Sequence, residues 1–235
     1  MRKITFIYMF IASVLVLFSG CSLLGGEDEK KIKELIPPQQ ELIPLEVGNY
    51  WVYEQWYLDP SNKDTVREEI IGTRRIIAED IMVDAFESVR FRYDSQPADD
   101  ALIALKANGQ DGHYFLGGWT DIDSLYINNR RYAYPAEAGD TLSSRQILFD
   151  TETKEYKIGS TRTIELMETN RTITTPAGVF ENCYVYRHQD YNRLFPYYQY
   201  IYVKPGTGIV GGKTVGTNDS TNYAGEYFLM DYRVK

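Results

Sequence analysis

The sequence predicts an all-β domain, mainly antiparallel, built as a curved sheet or partly open β-barrel of roughly twelve short strands. Three observations predict it. Polar and apolar residues alternate with a period of two in many short runs. Those runs are bounded by Gly, Asn, Asp and Pro. Beyond the N-terminal segment, no stretch of 12 or so residues spaces its apolar side chains as an amphipathic helix would. The first run, Asn49–Leu58, carries Tyr50, Trp51, Val52, Tyr53, Trp56 and Tyr57, all strand formers. Val89, Phe91 and Tyr93 alternate with Arg90, Arg92 and Asp94, and Ala101, Ile103 and Leu105 continue the pattern. His113–Leu116, Ser124–Ile127 and Gln146–Phe149 are short candidates. Ile164 and Leu166 alternate with Glu165 and Met167. Thr175-Pro176-Ala177-Gly178 reads as a turn, because proline presets φ at its second position and glycine suits its fourth. It would join Thr161–Thr174 to Val179–Asp190 as one long hairpin. Tyr198, Tyr200 and Tyr202 alternate with Gln199, Ile201 and Val203, and Glu226–Val234 closes the chain in the same way. Pro44-Leu45-Glu46-Val47-Gly48-Asn49 is echoed by Pro135-Ala136-Glu137-Ala138-Gly139-Asp140, as two halves of similar design would require.

Residues 1–20 read as a secretory signal: Arg2 and Lys3, an apolar run from Ile4 to Phe18, then small residues before Cys21. The run is too short to span a bilayer, which takes roughly 20 apolar residues. The segment Leu17-Phe18-Ser19-Gly20-Cys21 resembles the lipobox of bacterial lipoproteins, with Phe18 where Leu is usual. The resemblance implies that Cys21 becomes the lipidated first residue, palmitate among its acyl chains, and that the chain is held at the cell envelope. Several acyl chains on one residue exceed the roughly two signals that stable anchoring takes. Ser22 lacks the aspartate that retains enterobacterial lipoproteins at the inner membrane, which favours the outer membrane over the inner, facing periplasm or exterior. Residues 21–43 read as a flexible tether, with Gly25-Gly26, Glu27-Asp28-Glu29-Lys30-Lys31 and Pro37-Pro38-Gln39-Gln40. Residues 44–235 read as one β domain.

Charge and cysteine content exclude some partners. The full chain carries a net charge of −8. Loss of Arg2 and Lys3 with the signal takes the mature chain to about −10. Nucleic acid and anionic lipid heads should repel it. With Cys21 acylated, Cys183 remains alone and no internal disulfide can form. Cys183 sits in the strand-like run Phe180–Tyr186, where a small buried residue is the simplest reading.

Three further pieces occur in order. They are Pro44-Leu45-x-x-Gly48-Asn49-x-Trp51-Val52-Tyr53, then Pro176-Ala177-Gly178-Val179-Phe180-Glu181-Asn182-Cys183, then Tyr200-Ile201-Tyr202-Val203 leading to Gly206-Thr207-Gly208-Ile209-Val210. With the closing strand Tyr227–Tyr232 they resemble a group of bacterial envelope lipoproteins to which no activity is assigned. The resemblance implies an envelope β protein with a curved sheet like that of lipoprotein-carrier proteins. It supplies no catalytic residues.

The residues themselves suggest none either. Gly206-Thr207-Gly208-Ile209-Val210-Gly211 matches a dinucleotide fingerprint in letters, but no helix follows it, and a turn is expected. His113 and His188 are the two histidines; neither sits in a sequence that implies a nucleophile, and both read as structural. No metal-ligand spacing is present; Asp121 and Asp123 share a strand face but read as a solvated pair. Glu68-Glu69 and Asp99-Asp100 are adjacent, so on strands they point to opposite faces. No cofactor, metal or enzymatic activity is expected. The tyrosines are the one feature that suggests function: Tyr198, Tyr200 and Tyr202 on one strand face, and Tyr184 and Tyr186 on another. They could simply be half-buried strand residues. They could also form a ligand site. The expectation is a non-catalytic, membrane-anchored lipoprotein that binds or scaffolds an apolar small molecule or an envelope protein in the concavity of its sheet. The alternative is a carbohydrate-binding or carbohydrate-processing surface lipoprotein that uses the tyrosine strands. An outward, exposed tyrosine row would separate the two.

Overall fold

Residues 41–235 are described by the structure, a computed structural model, except 59–64, 84–85, 94–102, 120–123, 151, 154, 191–196 and 217–222. Cys21, the tether up to residue 40, and the pairs Asp121/Asp123 and Asp99/Asp100 lie outside the described residues. One compact unit spans Glu41–Lys235. Leu42 and Ile43 are buried in its core, so packing begins just before Pro44.

The strands run in chain order as β1 (Tyr50–Leu58), β2 (Thr65–Val83), β3 (Phe86–Tyr93), β4 (Ile103–Gly109), β5 (Gly112–Trp119), β6 (Ser124–Ala133), β7 (Thr141–Asp150), β8 (Glu155–Thr175), β9 (Gly178–Asp190), β10 (Tyr197–Lys204), β11 (Gly208–Gly216) and β12 (Tyr223–Arg233). They form one antiparallel sheet in the order β6-β5-β4-β3-β2-β1-β12-β11-β10-β9-β8-β7. Each strand pairs with its sequence neighbour, β12 returns to pair with β1, and only the join between β6 and β7 lacks a ladder. The all-β, partly open barrel expected from the sequence is the architecture found. Among the described residues there is no α-helix.

Two strands are long rather than short: β2 has 19 residues and β8 has 21. Each is broken by register shifts, in β2 after Ile76 and Glu79, and in β8 after Leu166, Glu168 and Arg171. Such bulges bend a strand and change which side chains face inward. They hide β2 from a period-two search, because its apolar residues come as doublets, Ile70-Ile71 and Ile76-Ile77. β11 is hidden for another reason. It reads as a glycine-rich loop, yet Gly212 lies beneath the Tyr227 ring, where a Cβ would come within 2.8 Å of that ring and 2.6 Å of the Tyr200 carbonyl.

The sequence echo has a structural counterpart. Ahead of β1, the Asn49 amide donates to the Glu46 carbonyl, Gly48 N–H to the Ile76 carbonyl, and Ile76 N–H to the Asn49 carbonyl. Ahead of β7, Asp140 donates to Glu137, Gly139 to Leu166, and Leu166 to Asp140. Gly48 and Gly139 take nearly the same left-handed φ, 95° and 97°. The sheet is therefore two six-stranded halves, β1–β6 and β7–β12, each opened by the same glycine turn clamped to its second strand.

The halves meet differently at their two joins. β1 and β12 share a ladder, whereas β6 and β7 have none and the Asn129 side chain bridges them. The Asn129 amide nitrogen donates to the Arg145 carbonyl (2.7 Å), and its oxygen accepts from the Arg145 N–H and the Ser144 hydroxyl (both 3.0 Å). A side-chain amide here takes the part of a peptide group.

The core lies inside. Trp51, Tyr53, Ile76, Phe91, Phe115, Tyr132, Leu166, Tyr186 and Val203 belong to one contiguous buried cluster. Trp51 stacks on Phe91 at 5.7 Å. Its indole N–H reaches past β12 to the Thr207 carbonyl (2.6 Å), and the Tyr53 hydroxyl reaches the Ile209 carbonyl (2.8 Å). Residues 41–49 tie down the same end. Gly206 N–H donates to the Glu41 carbonyl, Asn108 Nδ2 to the Ile43 carbonyl, and the Lys235 N–H to Asn49 Oδ1. The three sequence pieces that carried the lipoprotein resemblance meet here. The Pro176-Ala177 turn joins β8 to β9 as expected, and Ala177 N–H donates to the Leu229 carbonyl on β12.

Candidate functional site

Strand register decides which tyrosines face solvent. On β10, Ile201 and Val203 are buried in the core. Alternation then sends Tyr198, Tyr200 and Tyr202 to the outer face, and each is partly exposed. The rings of Tyr198 and Tyr200 are 6.5 Å apart, the spacing that alternate residues of one strand give.

Charged groups flank this row from both neighbouring strands. Arg187 on β9 lies opposite Tyr200, forms an ion pair with Glu165 on β8, and holds its guanidinium 4.9 Å from the centre of the Tyr198 ring. Lys213 on β11 lies opposite Tyr200 from the other side, 5.4 Å from the centre of its ring. Glu226 on β12 is the register partner of Lys213. Tyr202 lies opposite Gly211, where a Cβ would come within 3.5 Å of its ring and 3.3 Å of Phe228. Burial, with the nearby carboxylates of Glu226 and Glu168, pushes the Tyr202 hydroxyl up to about 12 against the pull of Arg171. Arg171 is itself paired with Glu168 at 3.2 Å. The outer face therefore repeats one pattern: a partly exposed tyrosine beside a cation, with a carboxylate close to each cation.

Tyr184 and Tyr186 do not join this row. They lie on the opposite face of β9, with the core. Tyr186 is fully buried, and its hydroxyl donates to the Ala133 carbonyl (2.7 Å). Burial raises its pKa far above the ordinary tyrosine range. Tyr184 packs edge-on against Tyr134 at 5.4 Å. The tyrosines singled out from the sequence thus divide into three facing out and two facing in. Arg187, Lys213, Glu165 and Arg171 had no distinguishing signal in the sequence, because only the ladder brings them beside the tyrosines.

The remaining candidates take these places. Cys183 is buried, its thiol donates to the Phe180 carbonyl (3.3 Å), and burial pushes its pKa up to about 11. Such a thiol is not a nucleophile. Gly206 sits in a tight turn and β11 begins at Gly208, so the glycine-rich run opens a strand and not a helix. His113 is buried. Asn108 uses its amide nitrogen on Glu41 and Ile43, so its oxygen accepts from His113 Nδ1 (3.0 Å). His188 is buried with no hydrogen-bond partner on either ring nitrogen. Burial, then the nearby Arg162 and Arg131, holds its pKa well below the usual imidazole range, so it is neutral. No carboxylate among the described residues hydrogen-bonds either imidazole. No group of three or more His, Cys, Asp or Glu side chains that could hold a metal ion occurs among the described residues.

No protein-family model matches the chain, and no curated protein matches it either. Two solved structures are similar over most of its length. One is a candidate lipoprotein from Parabacteroides distasonis, 15% identical, with a TM-score of 0.49, covering 84% of this chain and 100% of its own. The other is a candidate exported protein with a YmcC-like fold from Bacteroides fragilis, 14% identical, with a TM-score of 0.48, covering 83% of this chain and 100% of its own. At that likeness neither assigns a function to this chain.

Proposed function

We propose that this chain is a lipid-anchored protein of the bacterial envelope that binds carbohydrate on the outer face of β9–β12 and carries out no reaction on it. The observation that carries this reading is the outward row Tyr198, Tyr200 and Tyr202, partly exposed and flanked by Arg187 and Lys213. A sugar ring presents C–H groups on its faces and hydroxyls at its rim. Tyrosine faces suit the former, and charged groups that can donate or accept suit the latter. An apolar ligand in the concavity of the sheet is the less favoured reading, because the inward face belongs to a contiguous packed core. Lipidation of Cys21 would place the tyrosine row beside a membrane while leaving the barrel in water.

Two experiments test the reading. Affinity electrophoresis of the purified chain through gels containing soluble neutral polysaccharides should show retardation. Tyr200→Ala, which removes the central ring, should weaken that binding about tenfold or more. If no polysaccharide retards the chain, or the variant is retarded equally, the carbohydrate reading fails. Growth on labelled palmitate should label the parent and not a Cys21→Ser variant; equal labelling would remove the anchor.

A further inference from the structure

Not every charge beside the tyrosine row is committed to a partner. Arg187 is held by Glu165, and Arg171 by Glu168. Lys213 and Glu226 differ. They lie directly opposite each other on β11 and β12, and Lys213 lies directly opposite Tyr200 on β10. Residues opposite each other in a ladder share a face, so all three point outward with the row. All three are partly exposed. Opposite charges placed in this way across two strands ordinarily attract and pair. Here they do not. Among the described residues neither the Lys213 ammonium nor the Glu226 carboxylate has a hydrogen bond or an ion pair, and the ammonium lies 5.4 Å from the centre of the Tyr200 ring. The central tyrosine thus has a free donor and a free acceptor on the two strands beside it.

The chemistry of that pair narrows the ligand. A simple anion would satisfy Lys213 and meet Glu226 with like charge. A simple cation would do the reverse. An apolar molecule would leave both unsatisfied while covering them, which is costly. Two adjacent hydroxyls of a sugar satisfy both at once: one oxygen accepts from the ammonium, and its neighbour donates to the carboxylate. Each of these hydrogen bonds has one ionised partner and is of the stronger kind. Neighbouring strands lie about 4.8 Å apart, close enough for both groups to grip a single ring. The C–H face of the same ring can then rest on Tyr200.

We infer that Lys213 and Glu226 grip two adjacent hydroxyls of a neutral sugar stacked on Tyr200, so that the surface selects units carrying such a pair; this selection rests on the carbohydrate reading above. Tyr198 and Tyr202, whose nearby cations are already paired, supply contact area to the flanking units and little choice between them.

The test runs the purified chain through gels containing dextran, galactomannan, or a linear glucan joined through carbons one and three of each unit. Most units of the first two keep two adjacent hydroxyls free; the chain units of the third keep none. Dextran or galactomannan should retard the parent, and the glucan should do so at least about tenfold more weakly. Lys213→Met and Glu226→Met should each weaken the retardation about tenfold or more, because each removes a hydrogen bond to an ionised group. Methionine keeps an unbranched stem, and neither side chain has an ion pair to lose, so both variants should melt with the parent. Equal or stronger retardation by the glucan, or full retardation of either variant, overturns the grip on adjacent hydroxyls and leaves the carbohydrate reading standing. If none of the three polymers retards the parent, the carbohydrate reading itself fails, and the grip with it. Should a variant fail to fold, the comparison of the three polymers on the parent decides alone.

Discussion

Replacing Asn129 with alanine tests how the barrel closes. Every other join is held by a ladder of backbone hydrogen bonds, so the loss of one side chain there would be shared among many bonds. At the β6–β7 join the Asn129 amide makes three hydrogen bonds, to the carbonyl and N–H of Arg145 and to the hydroxyl of Ser144. A hydrogen bond contributes about 1 kcal/mol net, and an unsatisfied buried partner costs about 1–3 kcal/mol. Arg145 is exposed, so water can reach its backbone and reduce the loss there. Ser144 is only 2% exposed and has no such relief. The sum is about 2–3 kcal/mol for Asn129→Ala, against about 1 kcal/mol for Ser144→Ala, which gives up a single bond. For a domain of this size that corresponds to a fall of roughly 5–10 °C in melting temperature. Urea unfolding measures it as a lower midpoint at unchanged slope. Hydrogen exchange should speed up at the Arg145 amide more than along β1 or β12. An Asn129→Ala chain within about 0.5 kcal/mol of the parent would show that the join is held by something else.

Three further expectations follow from burial and close approach. Gly212→Ala should destabilise the chain by about 2 kcal/mol or more, since the added methyl would meet the Tyr200 carbonyl at 2.6 Å and the Tyr227 ring at 2.8 Å; a variant as stable as the parent in urea would refute that packing. Cys183 should resist alkylation at pH 8 in the native chain and react once urea unfolds it, because burial holds its pKa at about 11; rapid native labelling would contradict its burial. The same shift has a defined sign. Between the ordinary thiol value of 9.0 and about 11 the folded chain binds more protons than the unfolded one, so stability should fall as pH rises through that window. Comparing unfolding of the parent with Cys183→Ala across that range isolates the contribution of the thiol.

The candidate surface was only partly legible from residue order. Alternation along β10 puts Tyr198, Tyr200 and Tyr202 together on any pleated strand, so the row itself could be read directly. Its direction could not, because that depends on which face of β10 is buried against the core. Arg187 illustrates the difficulty. It follows Tyr186 in the chain but faces the other way, and only the pairing of β9 with β10 brings it to Tyr198 and Tyr200. His188 is a similar case: its sequence context suggested nothing beyond a structural role, and its missing partners are a property of the assembled interior.

Sequence alone determined what depends on local chemistry. Period-two alternation, turn residues and the absence of helical spacing give an antiparallel β domain. The duplicated Pro-x-Glu-x-Gly turn marks the start of each half. Only the tertiary structure decided what depends on register. The bulges of β2 and β8 shift which residues point inward, and the glycines of β11 make sense only beneath the rings that cover them. Likewise the side-chain amide of Asn129 that bridges β6 to β7 is one asparagine among many until the two strands lie side by side. The physical reason is that strand pairing joins residues far apart in the chain, and a register change of one residue turns every side chain to the opposite face.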